Sequence, residues 1–330
     1  MPPHPQTDVR TVGAVTVALL AVSSSAPLIA FADAPGLVVA FWRNALAVGV
    51  LSAFVLAWRR AEVTALFRSD RRQLWHCALA GVALAVHFGT WTPSVQLTSV
   101  AAATALVATQ PVWQGLIAAR QGRRLSAATW SGIVLAVAGA VVATGVDFTV
   151  SARAVAGDLL ALAGGLAGAC YTAFGERVRV TLSTATYTTI CYGVCSMLLC
   201  AVCLAAGLPL AGFDPATWLA ILGLVIGAQL LGHSLLNYAL RRVSATTISV
   251  LLLLEAPGAA LIAWAWLGQA PHPVALPGLG LLLVGVAVVV LGSAASDVRR
   301  RRTRSRGWRQ GPPAPRRWPV PRRTDGVTGS

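Results

Sequence analysis

The chain has 330 residues, of which 56% are apolar and only 11% charged, and its mean hydropathy is +0.70. Soluble domains carry about 25% charged residues, so water is excluded as the main solvent of this protein. The formal charge of +15 comes from 26 basic residues, all arginine, and eleven of these follow residue 298 against Asp325 alone, so the basic character belongs mostly to the tail.

A bilayer core about 30 Å thick needs about 20 apolar residues per helix. Ten runs reach that length: 11–31, 36–58, 73–93, 98–119, 126–146, 155–175, 184–206, 216–239, 245–267 and 274–293. They are continuously apolar and do not alternate with period two, which selects helices over barrel strands. The expected fold is therefore an all-α integral membrane protein of ten transmembrane helices.

In the first run, Ser23, Ser24 and Ser25 precede Ala26-Pro27, where a kink is expected. Ala30-Phe31-Ala32 looks like a signal-peptidase site, but only Arg10 precedes the run and the run exceeds a normal signal core, so it is read as a span. The second run holds Arg43, the only arginine inside a span. A guanidinium stays charged, so Arg43 needs Glu255, a substrate carboxylate or a phosphate as partner, unless it snorkels to the outer interface. His87 stands in the third run with Trp91 one turn on. Cys77, Cys170, Cys191, Cys195, Cys200 and Cys203 all fall within runs; none has zinc-site spacing, and they read as small packing residues. The eighth run carries Gln229, His233 and Asn237 at i, i+4 and i+8, one helix face and a candidate cavity wall. In the ninth, Glu255 sits near mid-span beside Pro257 and the small residues Gly258 and Ala259. An ionised group there costs about 2.5–3.5 kcal/mol on insertion scales, so Glu255 is expected to face protein or water, either as a coupling acid or as a structural hydrogen-bonding group. The segment 294–330 is rich in arginine and proline, the composition of a disordered tail that could grip anionic lipid. No folded nucleic-acid-reading module accompanies it.

Residues 81–139 match residues 227–285 at a constant offset of 146 without a gap. Gly81 pairs with Gly227, His87 with His233, Pro111 with Pro257, Gly122 with Gly268, Gly132 with Gly278 and Gly139 with Gly285. The chain reads as two homologous five-helix halves, 11–146 and 155–293, joined by an external linker over 147–154 and preceded by a short N-terminus, 1–10. The arginines fall on alternate loops, with Arg153 alone in the others, which puts both termini in the cytoplasm. An odd number of spans per half then makes the two repeats inverted. Glu255 is not duplicated, because its partner at the same offset is Thr109.

Ten spans in two halves, Pro27 and Pro35, Ala40-Phe41-Trp42-Arg43, and Leu254-Glu255-Ala256-Pro257 followed by Trp266-Leu267-Gly268 resemble EamA-type transporters of the drug/metabolite transporter superfamily over residues 11–293. The resemblance implies a multi-pass carrier of the bacterial inner (plasma) membrane with both termini cytoplasmic, moving small metabolites by alternating access. Members often carry Glu after the Leu-Gly that ends the ninth span; here that residue is Gln269, and the matching first-half position is Arg123. Glu255 is left as the one carboxylate in the core of a span.

The function expected is secondary transport of an amino acid-like or drug-like solute, efflux being one direction, with protons as a coupling partner through Glu255. Arg43, His87, Gln229, His233, Asn237 and Glu255 would surround the solute between the halves. An uncoupled facilitator is the alternative within transport, and a membrane sensor or scaffold the alternative outside it. No enzyme is expected, since the span cores offer no nucleophile–base pair, no metal set and no nucleotide-binding loop; no cofactor is expected either.

Overall fold

The computed structural model describes residues 9–98, 100–123, 125–143, 151–268, 276–278 and 280–289, and the described residues form helices and turns with no strand. In chain order the helices are α1 (Val9–Phe31), α2 (Gly36–Trp58), α3 (Arg60–Ser69), α4 (Arg71–Leu97), α5 (Val100–Val107), α6 (Gln110–Arg120), α7 (Ala127–Ala143), α8 (Ala152–Val178), α9 (Thr184–Ala205), α10 (Pro215–Ala239), α11 (Ala245–Leu267) and α12 (Leu276–Val289). Seven of them, α1, α2, α4 and α8 to α11, are long and apolar enough to cross a bilayer. Large apolar side chains such as Leu20, Leu56, Leu159, Met197, Leu219 and Leu261 stand exposed on these helices, as lipid-facing positions do.

Seven is three short of the expected ten. Pro111 has no N–H to give to Val107 and the chain turns at Ala108-Thr109, so the run 98–119 becomes two short helices, α5 and α6. Helix α7 is described over 17 residues and α12 is likewise short, each with neighbouring residues outside the described set. Helix α8 starts at Ala152, three residues before the apolar run, because Ser151 caps it by accepting from the Ala154 N–H at 3.1 Å. The expected linker up to residue 150, most of the N-terminal segment, Gln269 and the arginine-rich tail lie outside the described residues.

Proline and serine also break the longer helices. The kink expected in α1 falls at Ser24, a turn between Val9–Ser23 and Ser25–Phe31, and Pro27 cannot bond back to Ser23. Helix α11 narrows to a 3₁₀ turn at Leu252–Leu254, two residues before Ala256-Pro257. The breaks before Gln110 and before Glu255 are therefore repeat equivalents. So are the left-handed glycines that close α6 and α11, Gly122 at φ 74° and Gly268 at φ 69°. Helix α10 has no such likeness to α4: its centre, Leu224–His233, is wound as a π-helix.

The repeat is visible in packing. A Cβ on Gly132 would stand 2.9 Å from the Gly285 carbonyl oxygen, and one on Gly139 would stand 2.7 Å from that of Gly278. Since Gly132 is the repeat partner of Gly278 and Gly139 that of Gly285, each contact is the image of the other. That reciprocity is how two like surfaces meet about a two-fold axis, and the missing side chains let α7 and α12 touch backbone to backbone. Helices α4 and α8 use the same device. Gly157, Gly164 and Gly168 face Thr98, Trp91 and His87, so α4 is held close enough for its ring side chains to reach the centre of the bundle.

At the arginine-bearing end of the bundle, α3 ties the halves together. Glu62 accepts hydrogen bonds from the Ser183 N–H at 2.7 Å, the Ser183 hydroxyl at 2.5 Å and the Thr186 hydroxyl at 2.7 Å, so a first-half carboxylate caps second-half helix α9. Burial pushes the Glu62 carboxyl up, but the bonds from Ser183 and Thr186 and the nearby Arg59 outweigh it and hold the group below its ordinary value.

Two predictions follow from this packing. Gly139→Leu should destabilise the protein by about 1–3 kcal/mol through overpacking, whereas Gly49→Leu, at an open helix position, should not; thermal denaturation in detergent compares them. Because the folded-state pKa of Glu62 is depressed, its stabilisation is complete above the unfolded carboxylate value of about 4.3 and is lost as pH falls through the lower folded value. Glu62→Gln should therefore cost about 1 kcal/mol near neutrality and nothing in strong acid, and an equal loss of melting temperature at both pH values would refute the capping role.

Candidate functional site

Helix α2 carries Arg43 into the interior with no exposure at all, so the snorkelling alternative does not hold. Its Nε donates to Gln229 Oε1 at 3.0 Å, its Nη1 donates to the Ser25 hydroxyl at 3.2 Å, and its guanidinium lies over the Phe88 ring at 4.1 Å. Gln229 Nε2 in turn donates to Asn44 Oδ1 at 2.9 Å. Four helices thus meet on one charge: α1 through its break, α2, α4, and α10 through its π segment. Nη2 of Arg43 keeps no hydrogen-bond partner. Arg43 and Glu255 are near enough to interact electrostatically but form no salt bridge; the one ion pair among the described residues, Arg123 with Glu176 at 3.0 Å, lies at the arginine-bearing end.

The two repeat-related histidines meet at the centre. The His87 and His233 rings are 6.4 Å apart edge to face, Phe88 packs on His233 at 5.3 Å, and Trp91 stacks on His87 at 6.0 Å. His87 Nδ1 is 2.8 Å from the Gly164 carbonyl oxygen, which can only accept, so Nδ1 carries the hydrogen of this bond. The close approach of α8 at Gly164 and Gly168 makes this bond possible.

Two cavities flank the histidines. One, of about 50 Å³, is lined by Ser25, His87, Trp91, Thr104, Gln110, His233, Ser249 and Glu255 among apolar groups. The other, of about 30 Å³, is lined by His87, Gln110, Tyr171, Thr172, His233 and Asn237 with apolar neighbours. His87, Gln110, His233 and Leu252 belong to both walls, so they form the partition. Volumes of this size hold a few water molecules.

Of the six residues singled out in the sequence, Glu255, His87 and His233 line the larger cavity, and His87, His233 and Asn237 the smaller. Asn237 also bonds the Tyr171 hydroxyl at 2.5 Å, while its backbone carbonyl accepts from Arg179 Nε at 2.9 Å. Gln229 and Arg43 line neither cavity and are committed to one another. The Gln229–His233–Asn237 stripe is thereby split: its first member holds the charge and the other two face space. Glu255 has no hydrogen-bond partner among the described residues, so the structural alternative, a carboxylate bonded across the bundle, is not what is observed.

Gln110, Ser25 and Trp91 acquire a place that sequence did not assign them. Gln110 donates to the Thr172 hydroxyl at 3.2 Å and follows Thr109, the repeat partner of Glu255. Its position at the duplicated helix break was the available signal. Trp91 is 3% exposed, and its indole N–H lacks an acceptor.

The model of the EamA-like transporter family matches residues 11–145 and 155–291, which is most of the chain in two successive copies. A solved structure described only as the crystal structure of a protein is similar to this chain with a TM-score of 0.69 and 21% identity, covering 86% of this chain and 96% of that one. At that identity the likeness concerns the fold alone. No curated protein matches the chain.

Removing Gln229 would strand a charged donor and the Asn44 amide oxygen in the bundle interior. Gln229→Leu should cost about 2–3 kcal/mol, and the added Arg43→Met should restore part of that loss rather than add to it. Denaturation of the two single variants and the double variant measures the coupling; strict additivity would dissolve the network.

Proposed function

The chain belongs to the EamA-like transporter family, and on that premise we propose that it is a secondary transporter that moves a small metabolite, amino acid-like or drug-like, across the bacterial inner membrane by alternating access. One observation carries this reading: Glu255, the one acid in the core of a span, lines a cavity together with His87 and His233, which come from opposite halves of the repeat. Inverted-repeat carriers hold solute at such a junction of halves, next to broken helices.

In this reading the two halves are inverted five-span repeats, ten spans in all, with α5–α6, α7 and α12 completing the set and both termini in the cytoplasm. The solute binds beside Glu255, where the larger cavity widens as the halves part, and passes the His87–His233 partition toward Asn237. Arg43, held by Gln229, supplies fixed positive charge behind the wall. Protonation of Glu255 alternates with solute binding, which makes transport depend on a proton gradient. Anionic lipid at the arginine-rich tail is a further proposed partner.

Proteoliposomes loaded with a mixed metabolite pool test this, with and without an imposed pH gradient. The native protein should move at least one solute with the gradient, and Glu255→Gln should lose the gradient dependence while retaining downhill flux. Unchanged pH dependence in the variant would remove Glu255 from coupling; downhill flux that ignores the gradient in the native protein would make it a facilitator.

A further inference from the structure

The larger cavity is lined by residues whose donors find no acceptor among the described residues. Trp91 lines it with a buried indole N–H that has no partner. Ser25 lines it too, and its oxygen already accepts from Arg43, so its own hydrogen is left to point elsewhere, with no acceptor among the described residues. Behind these two stands the guanidinium, charged at every accessible pH and with one nitrogen unpartnered. The single acid in the wall, Glu255, is unpartnered as well.

Charge balance decides what this arrangement takes. With the cavity empty, ionised Glu255 offsets Arg43. A cationic solute would leave the pair with a surplus positive charge inside the bundle, where an uncompensated ion is most costly. An anionic solute would meet a second carboxylate across a cavity of about 50 Å³, and two like charges that close together inside the bundle repel strongly. One proton removes that repulsion and turns Glu255 into a third donor. The other titrating groups around it are His87 from α4 and His233 from α10, with Arg43 from α2 behind; the broken helices α1 and α5 bring only uncharged Ser25 and Thr104.

Resting on the transport reading above, we propose that the solute is a small monocarboxylate with an apolar body, bound through Ser25, Trp91 and protonated Glu255, so that each bound anion carries one proton and the loaded site stays neutral. The proton comes from solvent onto Glu255 as the anion enters and leaves with it. Val22, Val107 and Leu253 in the same wall accommodate the apolar body.

Calorimetric titration of the full-length protein in nanodiscs tests this, with butyrate, butylamine and L-alanine as probes in two buffers of different ionisation enthalpy. Butyrate should bind with uptake of one proton and the amine should not bind. Its affinity should fall about tenfold per pH unit on the alkaline side. Glu255→Gln should bind butyrate without taking up a proton and lose the pH dependence of its affinity, and Trp91→Phe should weaken binding about tenfold. Tighter binding of butylamine or alanine than of butyrate overturns the assignment, as does butyrate binding without proton uptake in the native protein. If none of the three binds while proteoliposomes move another solute with Glu255 dependence, the carboxylate assignment falls and the transporter reading stands. If no solute moves either, both fall.

Discussion

A guanidinium cannot shed its proton, and one without water around it must be hydrogen-bonded from several sides or expelled. Arg43 is held: Gln229, Ser25 and the face of Phe88 surround it. The Ser25 and Gln229 contacts come from irregular backbone. Ser25 opens the second segment of α1 just past its break, and Gln229 lies in the π-wound part of α10, where a wider turn re-aims side chains that a regular helix would place elsewhere. The charge accounts for much of the irregular backbone at the centre of the bundle, and the cavity opens beside it.

Duplication supplies the frame, and departures from duplication supply the chemistry. The glycine pairs that join α7 to α12 are reciprocal, the capping glycines Gly122 and Gly268 adopt one conformation, and His87 and His233 meet near the relating axis. Yet Thr109 answers to Glu255, and regular α4 answers to π-wound α10. A strictly symmetric pair of halves would have two acids or none at the break. Having one gives the site a single proton-binding carboxylate and a balance between one fixed positive and one titratable negative charge.

Helix-forming runs, the repeat and the isolation of Glu255 were legible because each is a one-dimensional signal: apolar length, a constant offset and a costly side chain. The split of the fourth run was half legible, since Pro111 announced a break but its apolar length masked it. The fates of Gln229 and Arg43 were not legible, because the bond between them joins α2 to α10 across a sequence separation of 186 and depends on a π-helix that no local pattern specifies. Gln110 was missed for a related reason: a glutamine at a helix start is an ordinary residue until the fold turns that start toward a cavity. Glu62 has no sequence signal of its own, and only the approach of α9 makes it a cap.

The smallness of the cavities bears on how such a site could work. Rooms of about 50 and 30 Å³ on either side of two imidazoles hold a few waters, not an organic solute with its hydration shell. Their shared wall of His87, His233, Gln110 and Leu252 draws on α4, α6, α10 and α11, which belong to different halves. In the proposed transport cycle, admitting a solute requires the halves to separate at that wall. The contacts between the halves are polar at the arginine-bearing end, where Glu62 caps α9 and Arg123 pairs with Glu176, and close-packed on glycine where α7 meets α12 and where α4 meets α8. Polar bonds at a water-facing end can be exchanged for bonds to water at little cost, whereas interlocked backbones cannot slide apart without opening a void.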